Sequence, residues 1–456
     1  MLTYELKKAP GVPLYEALYR CIRGDILSGK LQPGQKLPSK RALSANLKVS
    51  KITVEGAYNQ LLAEGYIRSE EKVGYFVESV EHAVQQPVCW EQKETPQKNA
   101  IDLTANGPAK FPFSVWSKLQ REVMLDMGEQ LLQTTDNQGL AQLRYAIAEH
   151  LAAFRGMQVD PANIIIGAGT DFLYNLLIQL LGRDKVYAVE EPGYSKIRQI
   201  YAAAGARCVS AQLDDQGVDP AKLQNAQVLH ISPSHHFPTG LVTPLSRRQA
   251  LLAWSKEMKN RYIIEDDYDS EFRFAAHPMP AMQSLDNGDK VIYMNSFSKS
   301  LAPSIRISYM VLPPALMEQF RQTLGFYSCT VPSFEQHTLA RFLDRGHFEQ
   351  HINRMRKFYK MRRDRLMKAL SHCTLADKLT IKEENAGLHF LVRVDTPETE
   401  EVILQRCTEA GLRVSSLSDY YHGNVPDTAK KCLVVNYSGL SQEDLTKLEE
   451  ILAIIH

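Results

Sequence analysis

Ser296-Phe297-Ser298-Lys299, with Arg306 seven residues past the lysine, follows the apolar run Val291-Ile292-Tyr293-Met294 after one residue, Asn295. A strand end that presents two hydroxyls, an amine and a guanidinium reads as a site for a phosphorylated aldehyde. The amine of Lys299 can condense with an aldehyde, provided some desolvation keeps it deprotonated. Ser296, Ser298 and the planar fork of Arg306 can hold one phosphate. Outward from this stretch the pattern alternates. Helices at 139–155, 170–181 and 194–204 interleave with strands at 163–166, 185–190 and 206–210, and further strands fit 227–231, 261–265, 291–294 and 306–312. Such alternation predicts an α/β domain with a mostly parallel sheet. Past residue 313 the chain is helix-rich until 388–394, and a smaller α+β part ends in a helix at 441–455.

Other strand ends add to the same constellation. Gly167-Ala168-Gly169-Thr170-Asp171 lies at a strand-to-helix junction. Glycine there permits close approach, and the Gly169, Thr170 and Asp171 amides at the helix start favour an anion. Asp266 follows the apolar Tyr262-Ile263-Ile264. A carboxylate there can pair with a pyridine nitrogen and hold its proton, which makes the ring an electron sink. Tyr268 can hydrogen-bond a ring hydroxyl. Together these are the needs of pyridoxal 5'-phosphate; otherwise the acidic strand end simply solvates a loop. Tyr194 in Glu191-Pro192-Gly193-Tyr194 either lies over the ring face or is a core tyrosine at a helix start. His235 in Ser232-Pro233-Ser234-His235-His236-Phe237-Pro238-Thr239-Gly240 is either a polar neighbour of the cofactor or structural. With no second His or Cys at ligand spacing, no metal site is expected.

The first 78 residues follow different rules. Leu14, Ala17, Leu18, Cys21, Ile22 and Ile26 keep helical spacing. Ser39 can cap a helix through Leu47, and Ser50 a longer one through Glu64. Gly65 would end the second in the left-handed region. Two short strands, at 66–68 and 75–77, turn near Lys72-Val73-Gly74. Two capped helices joined by Lys48-Val49 are a helix-turn-helix, whose second helix enters a major groove by its first turn. There Ser50, Lys51 and Thr53 suit phosphates and base edges, and Ile52 a thymine methyl. Ser39 and Arg41 open the first helix, where Arg41 can reach a phosphate or a guanine, and Gly74 lets the wing approach a duplex. A helical module for protein contacts is the alternative.

Charge supports a nucleic-acid module at one end. Residues 1–80 carry twelve Lys/Arg against eight Asp/Glu, net +4, while the remainder carries 41 against 44, net −3. The whole chain is near neutral at +1, with 44% hydrophobic and 23% charged residues over 456 positions, ordinary for a globular protein of about three domains. Seven scattered cysteines without a Cys-x-x-Cys pair fit a reducing cytoplasm. No apolar run of spanning length and no signal or transit peptide is seen. Residues 79–99, rich in Gln, Glu and Lys, read as a flexible linker or else an extended arm.

The segment with Pro33-Gly34, Leu37-Pro38-Ser39-Lys40-Arg41, Val49-Ser50-Lys51, Thr53-Val54, Ala57-Tyr58 and Glu64-Gly65-Tyr66-Ile67 resembles the GntR winged helix-turn-helix. Residues 100–456 resemble the fold type I aminotransferases. Glu265 through Arg273, Pro233-Ser234-His235, Pro238-Thr239-Gly240 and Gly387-Leu388-His389 are similar to the MocR branch of GntR regulators. The resemblance implies a winged helix-turn-helix at 11–78, a linker at 79–99 and a cofactor-binding body at 100–456, with a large part about 100–325 and a small part about 326–456. It implies Lys299 as the Schiff-base lysine, Asp266 on the pyridine nitrogen and Arg306 on phosphate.

Three departures bear on activity. Phe237 stands where aminotransferases carry the asparagine that bonds the ring hydroxyl. Thr134-Thr135 stand where a tyrosine often reaches across the dimer. Lys430-Lys431-Cys432 replace the arginine that binds a substrate carboxylate, which leaves that anchor open, with Lys196 and Arg393 as candidates. In the reader, Glu55 and Glu70-Glu71 weaken the phosphate electrostatics. The resulting expectation is a cytoplasmic homodimeric regulator that binds a double-stranded operator and senses an amine, an amino acid or pyridoxal phosphate itself. The alternative is a pyridoxal-phosphate-dependent aminotransferase with an appended DNA-binding module.

Overall fold

The computed structural model describes residues 2–4, 13–71, 73–79, 100–105, 107, 110–223, 225–272, 279–287, 289–382 and 387–454. Of the expected linker at 79–99, residues 80–99 lie outside them, as do Lys72 of the wing turn and Arg273. Two compact units compose the chain, Met1–Pro96 and Gln97–His456.

The first unit, the reader, is built on three helices. They are α1 (Leu14–Leu27), α2 (Lys40–Leu47) and α3 (Lys51–Ala63). Its strands are β1 (Lys36–Leu37), β2 (Ile67–Glu70) and β3 (Gly74–Val77), in the antiparallel order β1-β3-β2. Ser39 and Ser50 cap α2 and α3: each side-chain oxygen accepts from the backbone N–H three residues on, at 3.1 Å. Gly65 ends the last helix at φ 74°, the conformation glycine adopts without steric cost. Leu18, Ile22 and Ile26 of α1 meet Val54, Ala57, Tyr58 and Leu61 of α3 in a single core. Each fully buried aliphatic side chain there contributes about 1.5–3 kcal/mol. Sequence patterning did not reveal β1: two residues carry no period, and only pairing with Tyr75 and Phe76 makes them a strand.

In the body, eight strands form one sheet. Edge to edge they run Ile164–Gly167, Ser308–Val311, Val291–Ser296, Tyr262–Asp266, Val228–Ile231, Val186–Glu191, Arg207–Asp214 and Gly217–Val218. Neighbours from Val291–Ser296 across to Arg207–Asp214 pair in parallel. Ser308–Val311 runs antiparallel to both its neighbours. The long helix Thr170–Leu181 covers one face, where Leu173, Leu177 and Leu180 pack on Ile165, Ile264 and Met294. Parallel strands bring Gly167, Glu191, Ile231, Asp266 and Ser296 to one rim, the side where open α/β sheets bind ligands.

A second sheet, ordered Leu379–Lys382, His389–Val394, Cys432–Asn436, Ser415–Ser416, belongs to the small part. Ile101–Asp102, which the sequence reading grouped with the large part, pairs in parallel with Leu412–Arg413 of the small part. The Asn436 N–H also donates to the Leu103 carbonyl at 2.8 Å. The body's opening residues therefore stitch onto the small part, a pairing that no local pattern announces. Among the described residues no helix is long and apolar enough to cross a membrane.

Candidate cofactor site and nucleic-acid interface

Asp266, Lys299 and Arg306 lie at the sheet rim in different chemical settings. Strand alternation separates three consecutive acids. Glu265 turns one way and accepts from the Met282 and Gln283 N–H groups at 2.8 and 3.0 Å. Asp267 forms an ion pair with Arg155 at 2.9 Å, both side chains 1% exposed, and accepts from Tyr293 Oη at 2.7 Å. Burial pushes the Asp267 carboxyl up, but Arg155 together with hydrogen bonds from Tyr293, Ser234 and Ser270 outweighs it and holds the group below its ordinary value. All three acids are buried, so the strand end does not solvate a loop.

Asp266 faces the other way. Its Oδ2 accepts from Tyr174 Oη, and His230 Nε2 stands 3.6 Å away. His230 is itself held through Nδ1 by Tyr201 Oη at 2.7 Å. The second oxygen, Oδ1, is buried and has no hydrogen-bond partner among the described residues. A buried carboxylate oxygen left open is costly unless a donor arrives. Beside it, burial lifts Glu190 to about 8, so the group that accepts from the Ser232 N–H at 2.9 Å is protonated at neutral pH.

Lys299 sits in the single turn Phe297–Ser300. Its side chain is partly exposed by area, yet the fold crowds its amine. Desolvation, only partly opposed by Asp269, lowers it from the ordinary 10.5 to about 8. Ser296 accepts from the Ser298 N–H at 3.1 Å and from Ser308 Oγ at 2.8 Å, and donates to Ser298 Oγ at 3.0 Å. Ser296 is thus spent on the turn, while Ser298, less buried, keeps its own proton to give.

The glycine turn and Arg306 meet closely. Gly169 has φ 92°, and a Cβ there would overlap the Arg306 guanidinium. Arg306 Nη2 donates to the Ala168 carbonyl at 3.3 Å and lies 3.5 Å from Asp171 Oδ2. Lys196 Nζ reaches the same carboxylate oxygen at 2.7 Å. The Asp171 carboxylate therefore gathers two cations at the N-terminus of Thr170–Leu181, a setting that favours an anion.

His235 is placed from several sides. Its Nδ1 faces Asp269 Oδ2 at 2.8 Å and Tyr268 Oη at 3.2 Å, and its Nε2 is buried without a hydrogen-bond partner among the described residues. The carboxylate requires a proton on Nδ1, so Tyr268 retains its own hydroxyl proton for another acceptor. Burial and nearby carboxylates hold that phenol well above its usual range. Gly387 backs onto the His235 ring so closely that a Cβ would overlap it. Tyr194 is 49% exposed and stands edge-on to Phe237 at 6.1 Å, so it is not a core tyrosine.

Tyr174, His230, Glu190 and Asp269 escaped the sequence reading. Tyr174 carried a usable signal: it follows Thr170 by four residues and so shares its helix face. His230 lies in the strand expected at 227–231, with no local signal that marks it. Only the parallel pairing of Val228–Ile231 with Tyr262–Asp266 brings it to Asp266.

In the reader, Arg41, Lys51 and Ile52 are exposed, and Ile52, at 79% exposure, is a large apolar side chain offered to solvent from the first turn of α3. Glu55 forms an ion pair with Lys40 at 2.7 Å, and Glu70 with Arg68 at 3.0 Å. Two of the acids noted as electrostatic departures, Glu55 and Glu70, are thus paired within the reader. Gly74, at φ 139°, lies against the Lys36 side chain.

Comparison with known proteins agrees with both units. The family model described as bacterial regulatory proteins, gntR family, matches residues 14–77, and the one described as aminotransferase class I and II matches 98–452. The chain is 38% identical to the uncharacterized HTH-type transcriptional regulator YhdI of Bacillus subtilis, over 97% of this chain and 96% of that protein. It is 30% identical to the probable rhizopine catabolism regulatory protein MocR of Rhizobium meliloti, over 96% and 93%. It is 32% identical to the HTH-type pyridoxine biosynthesis transcriptional regulator PdxR of Corynebacterium glutamicum, over 89% and 88%. Among solved structures, kynurenine aminotransferase of Pyrococcus horikoshii superimposes with a TM-score of 0.68 at 25% identity, covering 78% of this chain and 90% of that one. With a DNA-reading unit and an aminotransferase-like body joined along its whole length, the chain belongs to the MocR-type branch of the GntR family of HTH-type transcriptional regulators.

Proposed function

We propose that the body holds pyridoxal 5'-phosphate on Lys299 and that a primary-amine effector, engaging there, alters how the reader binds its operator. The observation that carries this reading is the open Asp266 Oδ1 at the same rim as an amine lowered to about 8. The residues fit the group. A pyridinium N–H would satisfy the orphaned carboxylate oxygen, and Gly169, Thr170, Asp171, Ser298 and Arg306 supply amides, a hydroxyl and a guanidinium for a phosphate. When bound, the cofactor supplies an aldehyde that captures primary amines and a ring that withdraws electrons.

The chain's own residues do the rest. Lys299, about half neutral near pH 8, offers a nucleophilic amine and can later accept a proton at Nζ. Asp266, braced by Tyr174 and His230, keeps a proton on the ring nitrogen. Tyr268 donates to the ring oxygen, and Tyr194 covers the exposed side. Phe237 removes one donor that the enzymes use, so efficient transamination is not the role. Exposed Phe113, Leu125 and Leu132 offer apolar surface for a second copy. Two readers then address two half-sites. Sensing requires that effector affinity differ between DNA-competent and incompetent states.

The test combines an absorption titration with a gel shift. The full chain with pyridoxal phosphate should develop a lysine-linked band that added amines change without keto-acid turnover, and operator affinity should shift with it. A protein that ignores pyridoxal phosphate, or that turns over amino donors with no effect on DNA, would overturn the reading.

A further inference from the structure

We infer that the wall beside Lys299 is built for an aromatic or otherwise apolar primary amine without a carboxylate, rather than for an amino acid. The inference rests on the reading just proposed and names its effector class. Phe237 is the centre of the wall. Its ring lies 6.1 Å from Tyr194, 5.3 Å from Tyr420 and 5.0 Å from His389, edge-on in each case. Behind it Leu391, Leu417 and Val434 form an apolar cluster that Phe237 and Tyr420 join. His389 ties this wall to the cofactor residues, because its ring lies 4.8 Å from that of His235.

A carboxylate needs a cation there, and among the described residues the candidate cations are engaged elsewhere. Lys430 pairs with Asp427 at 2.8 Å, and Lys431 Nζ donates to the Thr396 carbonyl at 2.7 Å. Arg393 donates to the Thr428 carbonyl at 3.1 Å. Lys196 and Arg306 share Asp171 at the phosphate turn. Nor do the wall's histidines supply charge. Burial, reinforced by His235 and Lys299, drives His389 well below its usual value, and burial, with His235, takes His236 down to about 3. An incoming carboxylate would lose its water and gain no partner, which is strongly unfavourable. An aromatic tail would lose only apolar hydration and gain edge-to-face contacts with Phe237 and Tyr420.

The experiment uses full-length protein loaded with pyridoxal phosphate, titrated with 2-phenylethylamine and with L-phenylalanine. The two share ring and chain and differ only in the carboxylate. The cofactor absorption band reports binding, and a gel shift reports operator affinity. The amine should half-saturate at a concentration about tenfold lower or better. Phe237→Asn should weaken the amine several-fold, because the ring contact is lost. If that variant does not fold, Tyr194→Ala, at a half-exposed position, should weaken the amine several-fold. A band that L-phenylalanine shifts as readily as the amine, or that neither compound shifts, would overturn this inference alone. A protein with no lysine-linked band would overturn the underlying reading as well.

Discussion

In the reader, Ser39, Arg41, Ser50, Lys51 and Ile52 stand at the surface, each placed by residues a few positions away. In the body, Tyr174 and Asp266 meet in the interior across 92 positions of chain. The reader's chemistry is therefore modular: two capped helices present it, and changing one surface side chain leaves the others in place. The body's chemistry is collective, because Asp267 is satisfied by Arg155 and Tyr293, and Asp266 by Tyr174, all distant in the chain. Substitutions in the two regions should accordingly fail in different ways.

The largest contrast is expected for Lys299→Ala. It should abolish the lysine-linked absorption band altogether, while basal operator affinity stays within about threefold, a small change next to a specific DNA affinity. A gel shift that loses the operator with the band would break the separation. Gly169→Ala comes next. The added methyl must displace Arg306 and strain a positive φ, so cofactor affinity should fall roughly tenfold to hundredfold. Fluorescence titration with pyridoxal phosphate measures this, and an unchanged constant would remove Gly169 and Arg306 from the phosphate site.

Arg41→Ala should cost about 1–3 kcal/mol of operator binding and leave the cofactor band untouched. Salt titration sharpens the assignment: loss of one phosphate contact reduces the slope of log affinity against log salt by about one. A smaller effect is expected from pH. The Lys299 amine is lowered on folding from 10.5 to about 8. Below pH 8 the native state must keep a crowded ammonium, and that cost is relieved as pH rises from 8 to 10.5. Cofactor-free Lys299→Met should thus be more stable than the parent at pH 7 by roughly 1–3 kcal/mol. The gap should close at high pH in denaturant melts. A gap that is absent at pH 7, or that widens with pH, would show that the amine is solvated.

Much of this was legible beforehand for a specific reason. Ser39 and Ser50 cap helices through bonds that span three residues, and Gly65 ends one by its own backbone freedom, so a linear reading finds them. Lys299 and the Gly167–Asp171 turn were legible because each follows the end of a strand, and parallel strands bring their ends to one rim, while Arg306 precedes Ser308–Val311, which runs antiparallel and so starts at that rim. The pairing of Ile101–Asp102 with Leu412–Arg413 had no such signal, since two residues on an edge carry no period. The division of labour among Glu265, Asp266 and Asp267 was equally hidden. Alternation tells which acids face together, but not that Arg155 waits on one side and Tyr174 on the other.

From the amino-acid order alone came the two-part plan, the capped helices, the sheet with its rim, and the lysine, acid and arginine of the proposed site. These depend on periodicity, capping and strand polarity, which are short-range properties of a chain. Tertiary structure alone decided that the Asp266 oxygen stays open, that Lys299 is crowded toward neutrality, and that Phe237 leads an aromatic wall while the lysines at 430 and 431 are engaged elsewhere. Those outcomes depend on which distant groups share a buried volume, because desolvation and pairing act through space and not along the sequence.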